Sequence, residues 1–197
     1  MATAAVTDTG NHFVNLMGAM RDHYREGPQT HFALAESPHF LAMNQAANTG
    51  FPQVMMMLAD APDPVADIRD QARSETSSQV DDQHQTVQSA ADQLKSDQNQ
   101  QSFMDRLNTQ RAKAKEDSAA TIDKAYDSAI KLGQDASPEQ QNQIVAGMSA
   151  LSTGITQVMN TLVGVISSIV NAIMDVLNSV MDIAKQFAPL GALIAIL

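Results

Sequence analysis

From Gln140 to Met174 the chain carries no charged side chain. That stretch constrains the fold more than any other feature, because a helix facing water normally sets charged residues opposite its apolar stripe. Apolar residues recur in it at Met148, Leu151, Ile155, Val158, Leu162, Val165 and Ile169. They continue at Ile173, Val176, Val180, Ile183 and Phe187. The steps alternate between three and four, with one shift between Ile169 and Ile173. This spacing predicts a long helix over 137–188 with a heptad-type seam and a stutter. Val145, Met159, Val163, Ile166, Val170, Met174, Leu177 and Met181 widen the stripe beyond one seam. A helix apolar around much of its circumference is covered on several sides. Three surroundings supply such cover: the rest of a helical bundle, neighbouring copies in a homopolymer, or a bilayer. The seam residues from Met148 to Phe187 are therefore the expected self-association surface.

A constitutive membrane span fits poorly. Val158–Met174 approaches the roughly 20 apolar residues that a span requires. Yet Asn160, Ser167, Ser168 and Asn171 interrupt it, Gln157 and Asp175 border it, and no Lys or Arg lies close on either side. Insertion after a conformational change remains open, beside a buried soluble helix. Ala188-Pro189 is expected to end the helix. The following segment, 189–197, is apolar throughout its last residues, Leu190 to Leu197. Such a tail marks an interface. It either folds back onto the Met-rich N-terminal helices or meets another copy, and the second is the reading preferred here.

The rest of the chain also reads as helix. Phe13, Leu16, Met17, Met20 and Tyr24 fall at helical spacing, and Gly27-Pro28 stops that element. Ser37-Pro38 reads as a cap followed by proline at the first helical position. Gly50 marks an exit, and Val54 to Leu58 is a short apolar run. Residues 1–62 are thus expected to be short, Met-rich helices. Residues 63–136 have a different character, rich in Gln, Asp, Ser and Ala. No Gly or Pro occurs between Val65 and Leu132. Asp63-Pro64 reads as a helix start, and Val80, Val87 and Leu94 form a thin sevenfold seam. A long polar helix follows, with a break expected near residue 118. It needs a partner to lie against, since so narrow a stripe cannot offset its own ordering. Ser137-Pro138-Glu139-Gln140 is a capping-box signal. The expected architecture is all-α: an elongated helical hairpin or coiled-coil bundle, with short N-terminal helices and a long C-terminal one, in one structural unit.

Composition removes several classes of function. With no Cys there is no disulfide framework, thiol nucleophile or zinc–thiolate site. A formal net charge of −10 opposes general nucleic-acid binding. Few aromatics favour helix-on-helix packing over a ligand cavity. His12, His23, His31 and His39 lack zinc-helix spacing. Asp60, Asp63, Asp67 and Asp70 lack the glycine turn and terminal glutamate of a calcium loop. Met55-Met56-Met57 reads as core filler before it reads as an adaptable binding surface. No phosphate loop or nucleophile elbow occurs. We expect no enzyme, no cofactor, no metal and no nucleic-acid partner.

The layout resembles that of extracellular filament and translocator proteins of bacterial type III secretion systems. The shared features are an acidic helical chain, a Met-rich apolar region (here Phe13 to Leu58) and a long C-terminal coiled-coil helix (here Ser137 to Phe187). No diagnostic motif accompanies the layout, and the apolar tail departs from it. Met1 to Gly10 lacks a basic region and no apolar core follows it, so no cleavable secretory signal is read there. The resemblance implies export as an unfolded chain, a secretion chaperone as partner, and polymerisation outside the cell. The expected function is thus an exported, self-assembling helical subunit. The alternatives are an α-helical pore-forming or translocator protein, or a lipid-binding bundle, each with membrane contact. A cytoplasmic location is the alternative to an extracellular one.

Overall fold

The computed structural model describes residues 2–27, 30–47, 63–175 and 183–196. Six α-helices and one 3-10 turn make up these residues, with no strand among them. They are α1 (Ala2–Arg25), α2 (Pro38–Ala47), α3 (Ala66–Asp97), α4 (Gln100–Gly133), α5 (Pro138–Asp175) and α6 (Ile183–Ile196). The 3-10 turn is Leu34–Glu36. Gly50, the Val54–Leu58 run with its Met cluster, Asp60, Val176, Leu177, Val180 and Met181 lie outside the described residues.

Three long helices form the frame. α3 and α4 are antiparallel: Gln79 Nε2 donates to Thr121 Oγ1 at 3.0 Å, and Lys124 pairs with Glu75 at 3.2 Å. α4 and α5 are also antiparallel, joined by a short loop. Gln141 Nε2 donates to the Gly133 carbonyl at 2.9 Å across their near end. α5 has 38 residues, about 57 Å at 1.5 Å per residue. α1 lies in the groove between α4 and α5, with α2 beside it, and α6 lies in the groove between α3 and α5. α5 is therefore the common neighbour of every other helix.

Local chemistry explains several boundaries. At the start of α5, Ser137 N–H donates to Gln140 Oε1 at 3.0 Å and Gln140 N–H donates to Ser137 Oγ at 3.3 Å. This is the capping box read from sequence. α2 begins at Pro38 as expected. α1 is longer than the short element expected, beginning at Ala2. It buries Phe13, Leu16, Met17, Met20 and Tyr24 on one face. Phe13 packs against Gly133, where any side chain would collide with its ring. α3 begins two residues later than Pro64. Asp63 Oδ1 instead accepts from Val65 N–H at 3.0 Å, and its carboxylate pairs with Arg69.

Two larger differences concern helix breaks. The long polar stretch is not interrupted near residue 118, where Ser118 is buried inside α4. It breaks at Gln98–Asn99. Gln98 takes the left-handed conformation with φ +57°, and Asn99 Oδ1 accepts from Ser102 N–H at 3.0 Å, capping α4. Replacing Gln98 with Gly is expected to stabilise the bundle by about 0.5–1 kcal/mol, since glycine adopts this conformation without a Cβ penalty. A rise in the urea midpoint at constant m-value checks this.

The second difference lies in the C-terminal third. One helix was expected over 137–188; the described residues place two. α6 turns back against α5 and α3 and runs through Pro189. Pro189 lies inside this helix and is exposed. Phe187 and Leu190 are buried, and the Phe187 ring stacks on His84 of α3 at 4.7 Å. Among the described residues the tail thus packs against α3 and α5 of its own chain.

Candidate functional site

Among the described residues the distinctive surface is that of α5. Of the expected self-association residues, Met148, Leu151, Ile155, Val158, Leu162 and Ile169 are buried within the bundle, as is Phe187 on α6. Val165 is half-buried. Ile173 falls in α5 and Ile183 opens α6. The apolar seam is therefore occupied by α4, α3, α1 and α6 of the same chain. Val145, Met159 and Ile166, which widened the stripe, are buried too.

What stays open on α5 is narrow. Between the first turn and Ala172, Ala150, Gln157, Gly164, Ser168 and Asn171 are its exposed positions, with Gly154 and Thr161 half-buried between them. None is charged. The exposed faces of the neighbouring helices behave otherwise. α3 shows Asp67, Asp70, Asp81 and Asp82 to water, and α4 shows Asp105, Arg106, Lys115 and Glu116. The ion pairs among the described residues likewise avoid α5; Arg21 and Arg25 of α1 reach Asp123 of α4, and Lys113 reaches Asp117.

Three hydroxyls on the outer side of α5 are satisfied within the helix. Thr161 donates to the Gln157 carbonyl at 2.8 Å, Ser167 to Val163 at 2.7 Å and Ser168 to Gly164 at 3.0 Å. Thr86, Thr109 and Thr121 do the same on α3 and α4, so the bond is general in this chain. Its consequence on α5 is specific: these hydroxyls need no partner beyond their own backbone.

A groove of about 480 Å³ lies between α5 and the segment after α1. Tyr24, Thr30 and His31 form one wall; Thr153, Gln157 and Asn160 stand on the other. The Thr153 hydroxyl lies 3.3 Å from Tyr24 Oη and 3.2 Å from His31 Nδ1. Thr156 also lines the groove; it is 5% exposed, and its hydroxyl has no hydrogen-bond partner. Among the described residues that line the groove there is no carboxylate, lysine or arginine.

Sequence spacing did not bring the histidines together, but the fold brings two of them into contact. His12 and His39 bring Nδ1 atoms within 3.1 Å, across α1 and α2. His23 packs edge-on against Tyr24 and Phe32. Among the described residues no group of three or more His, Asp or Glu side chains converges as a metal site.

One titratable group is strongly shifted. Burial pushes the Tyr126 phenol well above its ordinary value, while the Ser152 hydroxyl 3.1 Å away opposes the shift. The Met148 carbonyl, 2.7 Å from Ser152 Oγ, competes for the same hydroxyl proton. The folded phenol holds its proton where the unfolded one begins to lose it, near pH 10. Stability conferred by Tyr126 is therefore complete below pH 10 and falls above it, by about 1.4 kcal/mol per pH unit. Tyr126→Phe is expected to flatten that alkaline decline in urea titrations at successive pH values.

Comparison with protein families, curated proteins and solved structures finds no match to this chain.

Proposed function

We propose that this chain is an exported, membrane-active helical subunit: a bundle that stores a span-length helix in its interior, releases it to a bilayer and then self-associates. The observation that carries this reading is the chemistry of α5 where it faces water. A core helix needs apolar residues only where it is covered. Its exposed positions have no packing reason to lack charge, and those of α3 and α4 carry charge freely. Gln157, Gly164, Ser168 and Asn171 do not. A charge at the centre of a bilayer costs several kcal/mol, whereas small polar residues are tolerated. Over Pro138–Ala172 the helix is long and apolar enough to cross a membrane, with mean hydropathy 1.4 in its most apolar window. Its hydroxyls carry their hydrogen bonds with them. The layout shared with type III secretion translocators supports export, and nothing in the arrangement calls for catalysis or a cofactor.

The test is flotation and dye release with vesicles of phosphatidylcholine and phosphatidylglycerol at neutral pH. The protein is expected to float with the vesicles and to release dye. Recovery of all protein in the soluble fraction, with the dye retained, would exclude the reading.

A second reading, a filament subunit, draws on a different surface. Val14 on α1, Leu41 on α2 and Leu132 near the end of α4 are large apolar side chains left exposed. End-to-end packing there would give filaments in negative-stain images of the protein without lipid.

A further inference from the structure

The positions that α5 leaves open form a second heptad line. Ala150, Gly154, Gln157, Thr161, Gly164, Ser168 and Asn171 follow one another in steps of four and three. That is the spacing of a helix seam, on the face opposite the apolar one. We propose that this strip is the surface through which two copies of the chain pair, α5 against α5. The inference rests on the self-association in the function proposed above and names its interface.

Four observations carry it. The first is Gly164. Glycine is a poor helix former, and a Cβ built there meets nothing within 4 Å. The fold of the single chain therefore does not require this glycine. A second backbone approaching closely does, as at other small-residue helix crossings. Gly147 makes the contrast: there Val65 occupies the space, and the glycine is explained within the chain.

The second is the groove beside the strip. Gln157 and Thr161 belong to both, and Thr156 lines the groove with an unpartnered hydroxyl at 5% exposure. A buried hydroxyl without a partner is costly, and a polar side chain from outside would satisfy it. The third is charge. Two copies of a chain with net charge −10 repel each other across their charged faces. Along this strip neither copy presents a charge. The fourth is self-complementarity. Small residues are interspersed with polar ones: the Gln157 and Asn171 amides offer donors and acceptors, and the Thr161 and Ser168 oxygens can still accept, so an identical strip can match those it meets. In a bilayer such residues are the ones that hold helices together.

The absence of cysteine makes the test clean. Single variants Gln157→Cys, Gly164→Cys and Asn171→Cys probe the strip; Asp81→Cys and Lys115→Cys probe exposed positions on α3 and α4. Each is oxidised with copper–phenanthroline, in buffer and with phosphatidylcholine–phosphatidylglycerol vesicles, and run on a non-reducing gel. The strip variants are expected to form dimer about tenfold faster than the two controls, the scale of one helix–helix contact. Gly164→Leu should keep the thermal midpoint of the bundle while lowering pairing of the wild-type-spaced Asn171→Cys background by a similar factor. Dimer formation no faster than in the controls, under both conditions, overturns the proposal. So does protection of the strip cysteines from a water-soluble maleimide by vesicles without dimer, which would assign the strip to lipid. Dye release scored in parallel separates the two ideas. Strip cross-linking without release keeps this interface and removes the membrane reading. Release without strip cross-linking does the reverse.

Discussion

Ile166→Glu is expected to unfold the bundle. Ile166 is fully buried on α5, within the hydrophobic core cluster. The substitution removes packed methyl groups and places an unpaired carboxylate in their site. The combined cost is on the order of 4–5 kcal/mol, which approaches the whole stability of a domain this size. Loss of the helical circular dichroism signal at 25 °C, or a urea midpoint near zero, would register it. Gly164→Glu, two residues away, is the control. Its side chain points into open space, so the fold should survive with a small change in midpoint. The pair separates the two faces of one helix, one spent on the monomer and the other free. Leu162 is buried like Ile166, so Leu162→Glu would destroy the monomer before it could report on assembly.

The second large effect is expected from a covalent lock. A Cβ on Gly147 would lie 3.6 Å from that of Val65, close to the separation in natural disulfides. Val65→Cys with Gly147→Cys should therefore cross-link the start of α3 to α5 with little distortion. Oxidised, the variant cannot move the first turns of α5 away from its cover. Dye release should fall at least about tenfold and return on reduction, if release depends on α5 leaving the bundle. The same cross-link closes a long loop and should stabilise the fold by about 4 kcal/mol in the chain-entropy account. A stabilised, oxidised variant that still releases dye as the reduced one does would show that α5 need not leave.

Much of this fold was legible in the sequence wherever the signal was local. The capping box of Ser137 and Gln140 depends on residues three apart, and it stands as read. The apolar face of α1 needs only periodicity. The break at Gln98–Asn99 was missed because it uses neither Gly nor Pro. Its signal was subtler, an Asn placed three residues before Ser102 to cap a new helix. The return of α6 onto α3 was not legible at all. Nothing near Phe187 indicates that His84 will be its neighbour, because that contact is set by the assembled bundle. The strip on α5 was written in the sequence but read as spacing between apolar residues. Small polar side chains carry little weight in hydropathy, and only burial of the apolar seam shows that they form a face of their own.

The order of the helices along the chain bears on how the protein is made. α1 to α4 precede α5, and α4 packs against it through a short loop. Synthesis runs at about 5–20 residues per second, so the polar helices leave the ribosome seconds ahead of the apolar one. α5 therefore emerges beside a partner already present. The nearness of α4 and α5 in sequence favours rapid docking, because little loop entropy is lost. The interval during which a nascent, uncharged helix is open to aggregation or to premature capture by a membrane is kept short. With the order reversed, the same helices would present the apolar element first, with nothing yet made to cover it.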